Sequence, residues 1–314
     1  MNGADASSGI VLALGGGGVR GVAHLGVLDR LAAAGMPIRG VAGTSSGAVV
    51  GALWLSLGDR AMDHMRGFLT SGPAAIPDLC DQGERKWLRR QVDRVRLGWA
   101  LAQLMLRRHR LTLRQYLNQM ERLVPDCRIE DLPVPFVAVA TDAASGAEVH
   151  LGSGSLTLAV AASSAMPGLV APLPVDGLRL QDGGAVAEIP VMAARRLGSP
   201  VVAVEVSEGL PEGNPDRDRF HRAMFRAAAM GWKELRRRLL ADADWVIAPP
   251  VNHLHWAQFD AFDESYAAGV AAAEEWLQRF RSLQPNDREF VSHRGPSQMG
   301  GDAGDGGCTE GGLS

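Results

Sequence analysis

A serine lies at the centre of a glycine-flanked turn near the start of the chain. Residues 43–47, Gly-Thr-Ser-Ser-Gly, match GxSxG and separate the short predicted strand Ile38–Ala42 from a helical pattern that begins at about Ser46. A nucleophile on a sharp strand-to-helix turn needs small residues two positions before and after it, because larger side chains would crowd the turn. The helix that follows points its positive end at a developing negative charge. This setting predicts that Ser45 is a nucleophile, and Ser46 has the wrong offset from both glycines.

A serine nucleophile needs a base, and the sequence offers two kinds. Asp182 lies in the segment Leu-Gln-Asp-Gly-Gly, directly after the strand-like run Gly177–Leu180, and the two glycines allow another backbone to approach closely. An Asp-Gly pair is also common in plain turns. A Ser–Asp–His order could instead use His253 or His255, which lie in a polar loop without a special local signature. The residues favour Asp182 and leave the histidine alternative open.

A second glycine-rich turn, Gly15–Gly21, follows the apolar run Ile10–Leu14 and opens a helical pattern. Glycines at a helix N-terminus leave several backbone N–H groups accessible to an anion. A Walker A loop is excluded, because no Gly-Lys-Ser/Thr ends the motif. The register Gly16, Gly18, Gly21 satisfies GxGxxG, but the second strand lacks the acidic residue that a dinucleotide site needs. An oxyanion hole is the remaining chemical use, and a turn without chemistry is the plain alternative.

The apolar pattern supplies strands and helices that can hold these turns. Strand-like runs occur at Ile10–Leu14, Ile38–Ala42, Phe136–Thr141, Val201–Val206 and Trp245–Ala248. Helical patterns occur at Val22–Leu31, Ser46–Leu57, Pro190–Leu197 and Arg217–Leu240. Strands that alternate with helices predict an α/β fold, in which a mainly parallel central sheet lies between two helical layers.

Composition predicts where this domain begins and ends. The chain has 314 residues, of which 46% are hydrophobic and 21% charged, as is usual for a soluble globular protein. Residues 59–125 look helical and contain no convincing strand, so we expect a helical insertion packed over one edge of the sheet. Residues 284–314 have almost no apolar side chains and predict a disordered tail, and residues 1–8 a flexible N-terminus. One folded domain over residues 9–283 is therefore expected.

Charge and cysteine content argue against several functional classes. A net charge of −3 gives no reason to expect nucleic-acid binding. The three cysteines, Cys80, Cys127 and Cys308, share neither CxxC nor Cys/His spacing, so we expect no disulfide framework, no metal and no cofactor. The N-terminus has no basic region before its apolar run, and no run of about 18 apolar residues occurs. A cytoplasmic protein without a signal peptide or a transmembrane helix is the expectation.

One segment is strongly basic within this slightly acidic chain. Residues 85–128 contain twelve arginines and lysines against three acidic residues, Asp93, Glu121 and Asp126. Basic residues flank the apolar run 97–106, which contains Trp99. Such a pattern suits an interfacial helix among anionic head groups, so it predicts peripheral contact with the inner membrane face through about 85–128. A helical cap on the sheet with a solvated basic face is the alternative.

Taken in order, these blocks resemble the patatin-like phospholipase family, particularly its bacterial cytoplasmic members. The resemblance runs from about Ile10 to Val191. Its blocks are LALGGGGVRGVAHLGVLDRL (Leu12–Leu31), GTSSGAVVGAL (Gly43–Leu53), ATDAASG (Ala140–Gly146), AASSAMPGLVAP (Ala161–Pro172) and DGG (Asp182–Gly184). A single short motif arises by chance, but five in the family's order indicate the family.

The resemblance implies a three-layer α/β/α catalytic domain over residues 9–283, with a Ser–Asp dyad and no histidine. It makes Ser45 the nucleophile and Asp182 the general base. The implied oxyanion hole consists of the backbone amides of Gly16, Gly17 and Gly18, and Arg20 braces this loop. The supporting glycines are Gly21, Gly43, Gly47, Gly183 and Gly184. One position departs from the family: Glu188 stands where members often carry asparagine or another small polar residue, which could alter the charge around Asp182.

The resemblance therefore predicts a serine lipid acyl hydrolase that acts on phospholipid, lysophospholipid or another fatty ester. Two other classes remain open. A non-catalytic lipid-binding or regulatory protein can share the fold, although intact Ser45 and Asp182 argue against it. A dinucleotide-binding oxidoreductase would rest on the GxGxxG register alone.

Overall fold

The computed structural model of the chain describes residues 9–70, 111–207 and 220–282, and within them eight strands form one sheet. The strands are β1 (Ile10–Leu14), β2 (Ile38–Thr44), β3 (Phe136–Asp142), β4 (Glu148–Leu151), β5 (Leu173–Val175), β6 (Leu178–Asp182), β7 (Val201–Val204) and β8 (Trp245–Ile247). Their order is β5-β6-β3-β2-β1-β7-β8, and β4 also pairs with β3. The turns after β1 and β2 are therefore neighbours at the carboxyl edge of the sheet.

The sheet has a parallel part and an antiparallel part. Strands β3, β2, β1, β7 and β8 pair in parallel. At the other edge, β4 and β6 pair antiparallel with β3, and β5 pairs antiparallel with β6. The α/β fold is confirmed, but antiparallel pairing is more extensive than the sequence predicts. Strands β4 and β5 are only three or four residues long and partly exposed, so they lack the continuous apolar run that identifies a buried strand.

Helices cover both faces of the sheet. They are α1 (Val22–Ala33), α2 (Ser46–Leu57), α3 (Ala61–Thr70), α4 (Leu113–Leu123), α5 (Leu156–Ser163), α6 (Val191–Leu197), α7 (Phe220–Ala241) and α8 (Phe262–Ser282). Alternate residues of β1 point to opposite faces, as a strand requires. Leu12 packs in the core with α1, α2, α5 and α8, whereas Val11 packs with α6 on the other side. The predicted three layers are thus present.

Helix α8 is not predicted from the sequence above, yet it packs closely along α1. A Cβ atom on Gly26 would overlap the carbonyl oxygen of Tyr266, and one on Gly269 would overlap that of Ala23. Both glycines therefore allow the two helix backbones to approach closely. Because α1 begins directly after the glycine-rich turn, α8 supports the element that leads away from the site.

Several predictions concern residues outside the described ranges. The insertion predicted at 59–125 is helical where it is described, in α3 and α4. Residues 71–110 lie outside the described ranges. So do residues 1–8, predicted to be a flexible N-terminus, and residues 284–314, predicted to be a disordered tail. The proposed domain limits therefore stay predictions. In the described parts of the chain, no helix is both long and apolar enough to span a bilayer.

Candidate active site

The turn between β2 and α2 holds Ser45 in a strained conformation. Ser45 has φ 54° and ψ −121°, a region that residues with a side chain rarely adopt. A Cβ atom on Gly43 would lie 2.5 Å from Ala48 Cα, and one on Gly47 would overlap the carbonyl oxygen of Leu14. Only glycine fits at both positions, which gives the GxSxG spacing a steric reason here. The turn presents the Ser45 side chain at the carboxyl edge of the sheet.

Strand β6 brings Asp182 to this serine. Its antiparallel pairing with β3 sets Asp182 opposite Ala140, at the end of the strand. Ser45 Oγ donates a hydrogen bond to Asp182 Oδ2 at 2.7 Å, and the Gly184 amide donates to Asp182 Oδ1 at 2.8 Å. A Cβ atom on Gly183 would overlap the carbonyl oxygen of Val139, so this glycine lets the aspartate loop close against β3. The predicted pair of residues is therefore in direct contact.

The surroundings of Asp182 make its carboxylate more basic than usual. Burial is the main cause and raises the pKa of Asp182 to about 6. The hydrogen bonds from Gly184 and Ser45 oppose this rise, whereas the negative charge of Glu188 adds to it. A carboxylate with a pKa near 6 is ionised at neutral pH and still able to accept a proton, as a general base must.

The histidines of the alternative triad have other partners. His253 Nε2 lies 2.8 Å from Glu264 Oε1 on the surface, and the His255 ring packs against Trp256. Within the described ranges, no hydrogen bond joins either histidine to Ser45 or Asp182. The arrangement around Ser45 therefore favours a dyad over a triad.

The glycine-rich turn after β1 adjoins the nucleophile. The Gly16 amide donates to the carbonyl oxygen of Glu188 at 2.8 Å, and the Val19 amide to that of Trp256 at 2.8 Å. The amides of Gly17 and Gly18 have no acceptor among the described residues. A Cβ atom on Gly16 would lie 3.4 Å from Ser45 Cβ, so the loop reaches the nucleophile. Of the three amides expected to line an oxyanion hole, that of Gly16 already has a partner inside the protein, whereas those of Gly17 and Gly18 have none among the described residues.

Contacts of Arg20 and Gly21 hold this loop in place. The buried Arg20 donates from Nε to the carbonyl oxygen of Val206 at 2.9 Å and from Nη1 to that of Leu254 at 3.0 Å. A Cβ atom on Gly21 would lie 2.5 Å from Ser46 Cβ, so the two turns press against each other. Arg20 therefore links the glycine-rich turn to the segments after β7 and β8.

His24 lies under the same loop and is not predicted as part of the site. Its Nε2 is 2.7 Å from the carbonyl oxygen of Gly15. Complete burial lowers the pKa of His24 to about 4, so the ring is neutral at physiological pH and Nε2–H donates to Gly15. The bond holds the first residue of the turn.

Two serines that the sequence did not single out hold the backbone of Ser45. Ser163 Oγ accepts a hydrogen bond from the Ser45 amide at 3.0 Å and donates to the carbonyl oxygen of Val139 at 2.6 Å. Ser164 Oγ donates to the carbonyl oxygen of Ser45 at 3.2 Å. Both serines lie in the AASSAMPG block. That block gave the only signal for them, and it does not reveal which backbone groups they bind.

Glu188 connects the glycine-rich turn to helix α7. Its carbonyl oxygen accepts a hydrogen bond from the Gly16 amide, and its carboxylate accepts one from Arg236 Nε at 3.2 Å. Arg236, on α7, also lies 3.6 Å from Glu205 through Nη1. The negative charge of Glu188 raises the pKa of Asp182, and Arg236 pairs with the carboxylate of Glu188.

Metal ligands do not cluster in the parts of the chain that are described: no three histidine, cysteine or acidic side chains there could share an ion. Cys127 is a free thiol, and burial is the first cause that raises its pKa.

Comparison with known proteins agrees with the resemblance. A family model described as patatin-like phospholipase matches residues 12–195, which is more than half of the chain. An uncharacterized NTE family protein of Mycobacterium tuberculosis is 34% identical over 209 residues, covering 67% of this chain and 51% of that protein. Patatin-like phospholipase domain-containing protein 6 of Homo sapiens is 32% identical over 251 residues, covering 78% of this chain and 16% of that protein.

Among solved structures, VipD from Legionella pneumophila aligns with a TM-score of 0.42 and 17% identity, over 87% of this chain and 67% of that chain. The chain spans about half or less of the length of the curated relatives named here. On the family model and the identity to these relatives, the chain belongs to the patatin-like phospholipase family.

Proposed function

We propose that this member of the family is a serine lipid acyl hydrolase, which cleaves fatty acyl esters through a Ser45–Asp182 dyad. The observation that carries the proposal is the 2.7 Å hydrogen bond from Ser45 Oγ to Asp182 Oδ2, in a site that raises the pKa of the carboxyl. The strained backbone of Ser45 supports it, because such strain is common at catalytic residues.

The first half of the proposed reaction acylates the serine. The ionised Asp182 takes the proton of Ser45 as Oγ attacks the ester carbonyl, and the carbonyl oxygen becomes an oxyanion. The amides of Gly17 and Gly18 are the proposed donors to this oxyanion, and one such donor is typically worth ~3–4 kcal/mol. Asp182 then returns its proton to the leaving alkoxide, so an alcohol departs and an acyl ester remains on Ser45.

The second half regenerates the enzyme. Asp182 takes a proton from water, and the resulting hydroxide attacks the acyl carbonyl at the same oxyanion position. The intermediate collapses, Ser45 recovers its proton from Asp182, and the fatty acid leaves. Both halves use one base and one pair of amides. They therefore need no group beyond the residues named.

The proposed substrates are phospholipids, lysophospholipids or other fatty esters. The support is the family, whose name refers to phospholipid cleavage, together with the dyad. Peripheral contact with an anionic membrane through about 85–128 remains part of the proposal. Most of that segment lies outside the described residues. The corresponding proposed location is the cytoplasm, with the protein acting at the inner membrane face.

An active-site probe tests the proposal directly. A fluorophosphonate should label Ser45, as mapped by mass spectrometry, and Ser45→Ala should not be labelled. A panel of short-chain esters, phospholipids and lysophospholipids then defines the substrate. An intact protein that neither reacts with the probe nor hydrolyses any ester would support the non-catalytic alternative. NAD or FAD retained through purification would revive the dinucleotide alternative.

A further inference from the structure

The end of helix α5 contacts both members of the candidate dyad. Ser163 Oγ accepts a hydrogen bond from the Ser45 amide at 3.0 Å, and Ser164 Oγ donates to the Ser45 carbonyl oxygen at 3.2 Å. The carbonyl oxygen of Ala165 accepts a hydrogen bond from the Asp182 amide at 2.9 Å. The distance between Ser45 and Asp182 therefore depends on where this short stretch of backbone lies.

A side chain from helix α4 binds the same stretch, residues 161–165. The Tyr116 hydroxyl donates a hydrogen bond to the carbonyl oxygen of Ala161 at 2.7 Å. Ala161 lies in the last turn of α5, where carbonyl groups run out of partners within the helix. The Ser164 amide also points at this carbonyl, but at the longer distance of 3.3 Å. Tyr116 is thus the closer donor, and it ties α4 to residues 161–165.

The surroundings of Tyr116 hold its ring in one place beside the dyad. The side chain is buried in a hydrophobic cluster that also contains Ala140, Ala161 and Ala165. Ala140 is the partner of Asp182 in the pairing of β3 with β6. Burial raises the pKa of Tyr116, and the charge of Asp182 is the second cause of this rise. The hydroxyl therefore lies near the base and stays protonated at neutral pH, so it is a lasting hydrogen-bond donor.

We propose that Tyr116 is a positioning residue for the dyad. Its hydrogen bond to Ala161 fixes residues 161–165, and these residues set the geometry between Ser45 and Asp182. Tyr116 lies outside the five sequence blocks of the family, so the sequence pattern gives it no role. The inference rests on the proposed function, because a defined geometry matters to this pair only if the pair reacts.

The two tyrosines of the chain provide a matched test. Tyr116→Phe removes the hydroxyl and keeps the ring in its cluster. The control Tyr266→Phe removes a hydroxyl that donates to Asp29 Oδ2 at 3.1 Å, on helix α8. We compare kcat and KM for a soluble short-chain ester and the rate at which a fluorophosphonate labels Ser45. Circular dichroism fixes a temperature at which every variant is folded.

We expect Tyr116→Phe to lower kcat and the labelling rate about tenfold, because a small misplacement of a reacting group has effects of this order. KM should stay nearly unchanged, since the substituted group does not touch the substrate. Tyr266→Phe should keep both rates, although each variant loses a hydrogen bond and should melt at a somewhat lower temperature. Unchanged kcat in Tyr116→Phe would overturn the proposal, and so would equal losses of kcat in the two variants.

A double variant tests whether Tyr116 acts through residues 161–165. In Tyr116→Phe/Ser163→Ala, kcat should fall by less than the product of the two single losses, because both changes loosen the same support of Ser45. In Tyr266→Phe/Ser163→Ala, kcat should equal that of Ser163→Ala. Losses that multiply in the first double variant would mean that Tyr116 and Ser163 act independently, which overturns the proposal.

Two replacements of the size of tyrosine isolate the hydrogen bond from the packing. At position 116, 4-aminophenylalanine supplies an N–H donor, whereas 4-methylphenylalanine fills the same space without a donor. The amino side chain should restore most of kcat, and the methyl side chain should be as slow as Tyr116→Phe. Equal kcat with these two side chains would overturn the proposal. Both leave no cavity, so they decide the question even if Tyr116→Phe does not fold.

The wild type separates failure of this inference from failure of the proposed function. A folded wild type that hydrolyses no ester and does not react with the fluorophosphonate would overturn the proposed function, and the positioning role of Tyr116 with it. A wild type that hydrolyses esters as fast as Tyr116→Phe would overturn the positioning role alone.

Discussion

The two glycine-rich turns at the carboxyl edge follow neighbouring strands and lead into packed helices, yet they differ in how their backbone groups are hydrogen-bonded. In the serine turn, the amide and the carbonyl of Ser45 are both hydrogen-bonded, by Ser163 and Ser164. In the turn after β1, the amides of Gly17 and Gly18 are left without an acceptor in the described residues. In the serine turn, hydrogen bonds to the backbone fix the position of Ser45. In the turn after β1, two backbone amides stay available to an acceptor.

This difference explains why glycine serves two purposes in one site. Gly43 and Gly47 are needed because other atoms occupy the space that a Cβ would fill. Gly18 meets the same steric limit, because a Cβ atom there would overlap the carbonyl oxygen of Trp256, and its φ of +63° also favours glycine. The amides that the loop exposes are the groups that suit a developing oxyanion. If this comparison is right, substitutions in the two turns should lower activity for different reasons.

The largest effect should follow removal of the dyad. Ser45→Ala and Asp182→Asn should each lower ester hydrolysis by about four orders of magnitude or more, because the two groups act as a unit. Turnover of a soluble ester measures this, and circular dichroism checks the fold. The double variant His253→Ala/His255→Ala should stay active. If that variant lost activity while Asp182→Asn kept it, a triad would replace the dyad.

The same aspartate variant should gain stability. The pKa of Asp182 is raised by burial, so the folded state binds this proton more tightly than the unfolded state. The ionised carboxylate therefore costs stability above about pH 6, by roughly 1–3 kcal/mol at most. Asparagine carries no charge, so Asp182→Asn should melt at a higher temperature than the wild type at pH 8. The gain should shrink as the pH falls from about 6 toward 4. A variant that is less stable at every pH would contradict the buried-charge explanation.

The next effects concern the glycine loop. A Cβ atom on Gly17 would lie 2.8 Å from both Cγ2 and the carbonyl oxygen of Val206, so Gly17→Ala should lower thermal stability as well as turnover. Gly16→Ala meets nothing closer than Ser45 Cβ at 3.4 Å. It should keep the melting temperature within a few degrees and still lower kcat, because a methyl group enters the space beside the nucleophile. Unchanged kcat in Gly16→Ala would place the loop outside the reaction.

A moderate effect should follow loss of the Ser163 hydroxyl. Ser163→Ala removes the acceptor for the Ser45 amide and the bond to Val139, so Ser45 should be held less well. We expect kcat to fall about 10- to 100-fold, since a small misplacement of a reacting group has effects of this size. KM should change little. Ser56→Ala, which removes a hydroxyl bond to Ala52 inside α2, is the matched control and should keep full kcat. Equal losses in both variants would mean that Ser163 acts through stability alone.

Sequence reasoning predicts the parts of this molecule that local patterns determine. The strands β1, β3 and β7 contain continuous apolar runs, and the GxSxG turn between β2 and α2 lies where the pattern puts it. The sequence could not show that the Gly16 amide bonds to Glu188, because the two residues are far apart in the chain. For the same reason the roles of Ser163 and Arg236 depend on tertiary packing. Helix α8 buries residues at helical spacing, among them Phe262, Ala273 and Trp276, so a periodic signal for it exists in the sequence. The pattern does not show that Gly26 and Gly269 let α8 approach α1, because that contact depends on tertiary packing.

The smallest expected effect tests how the surroundings set the basicity of Asp182. The proposed mechanism requires ionised Asp182, so kcat/KM should fall as the pH drops below about 6, by up to tenfold per pH unit. Glu188 is the charged group that acts on this carboxyl directly, and Arg236 pairs with both Glu188 and Glu205. Tyr116 is a further neighbour, and its own pKa is raised first by burial and then by the charge of Asp182. The acid limb of the profile should therefore respond to changes in these groups.

Two variants should move the acid limb in opposite directions. Glu188→Gln removes a negative charge that raises the pKa of Asp182, so the limb should move to lower pH. Arg236→Gln leaves Glu188 without its cation, so the limb should move to higher pH. Each shift should be a fraction of a pH unit, since Glu188 is the weakest of the four causes acting on Asp182. Arg237→Gln removes the same charge from the exposed side of α7 and is the control, with no shift expected. Shifts in the same direction, or a control shift as large as that of Arg236→Gln, would show that overall charge rather than this contact sets the limb.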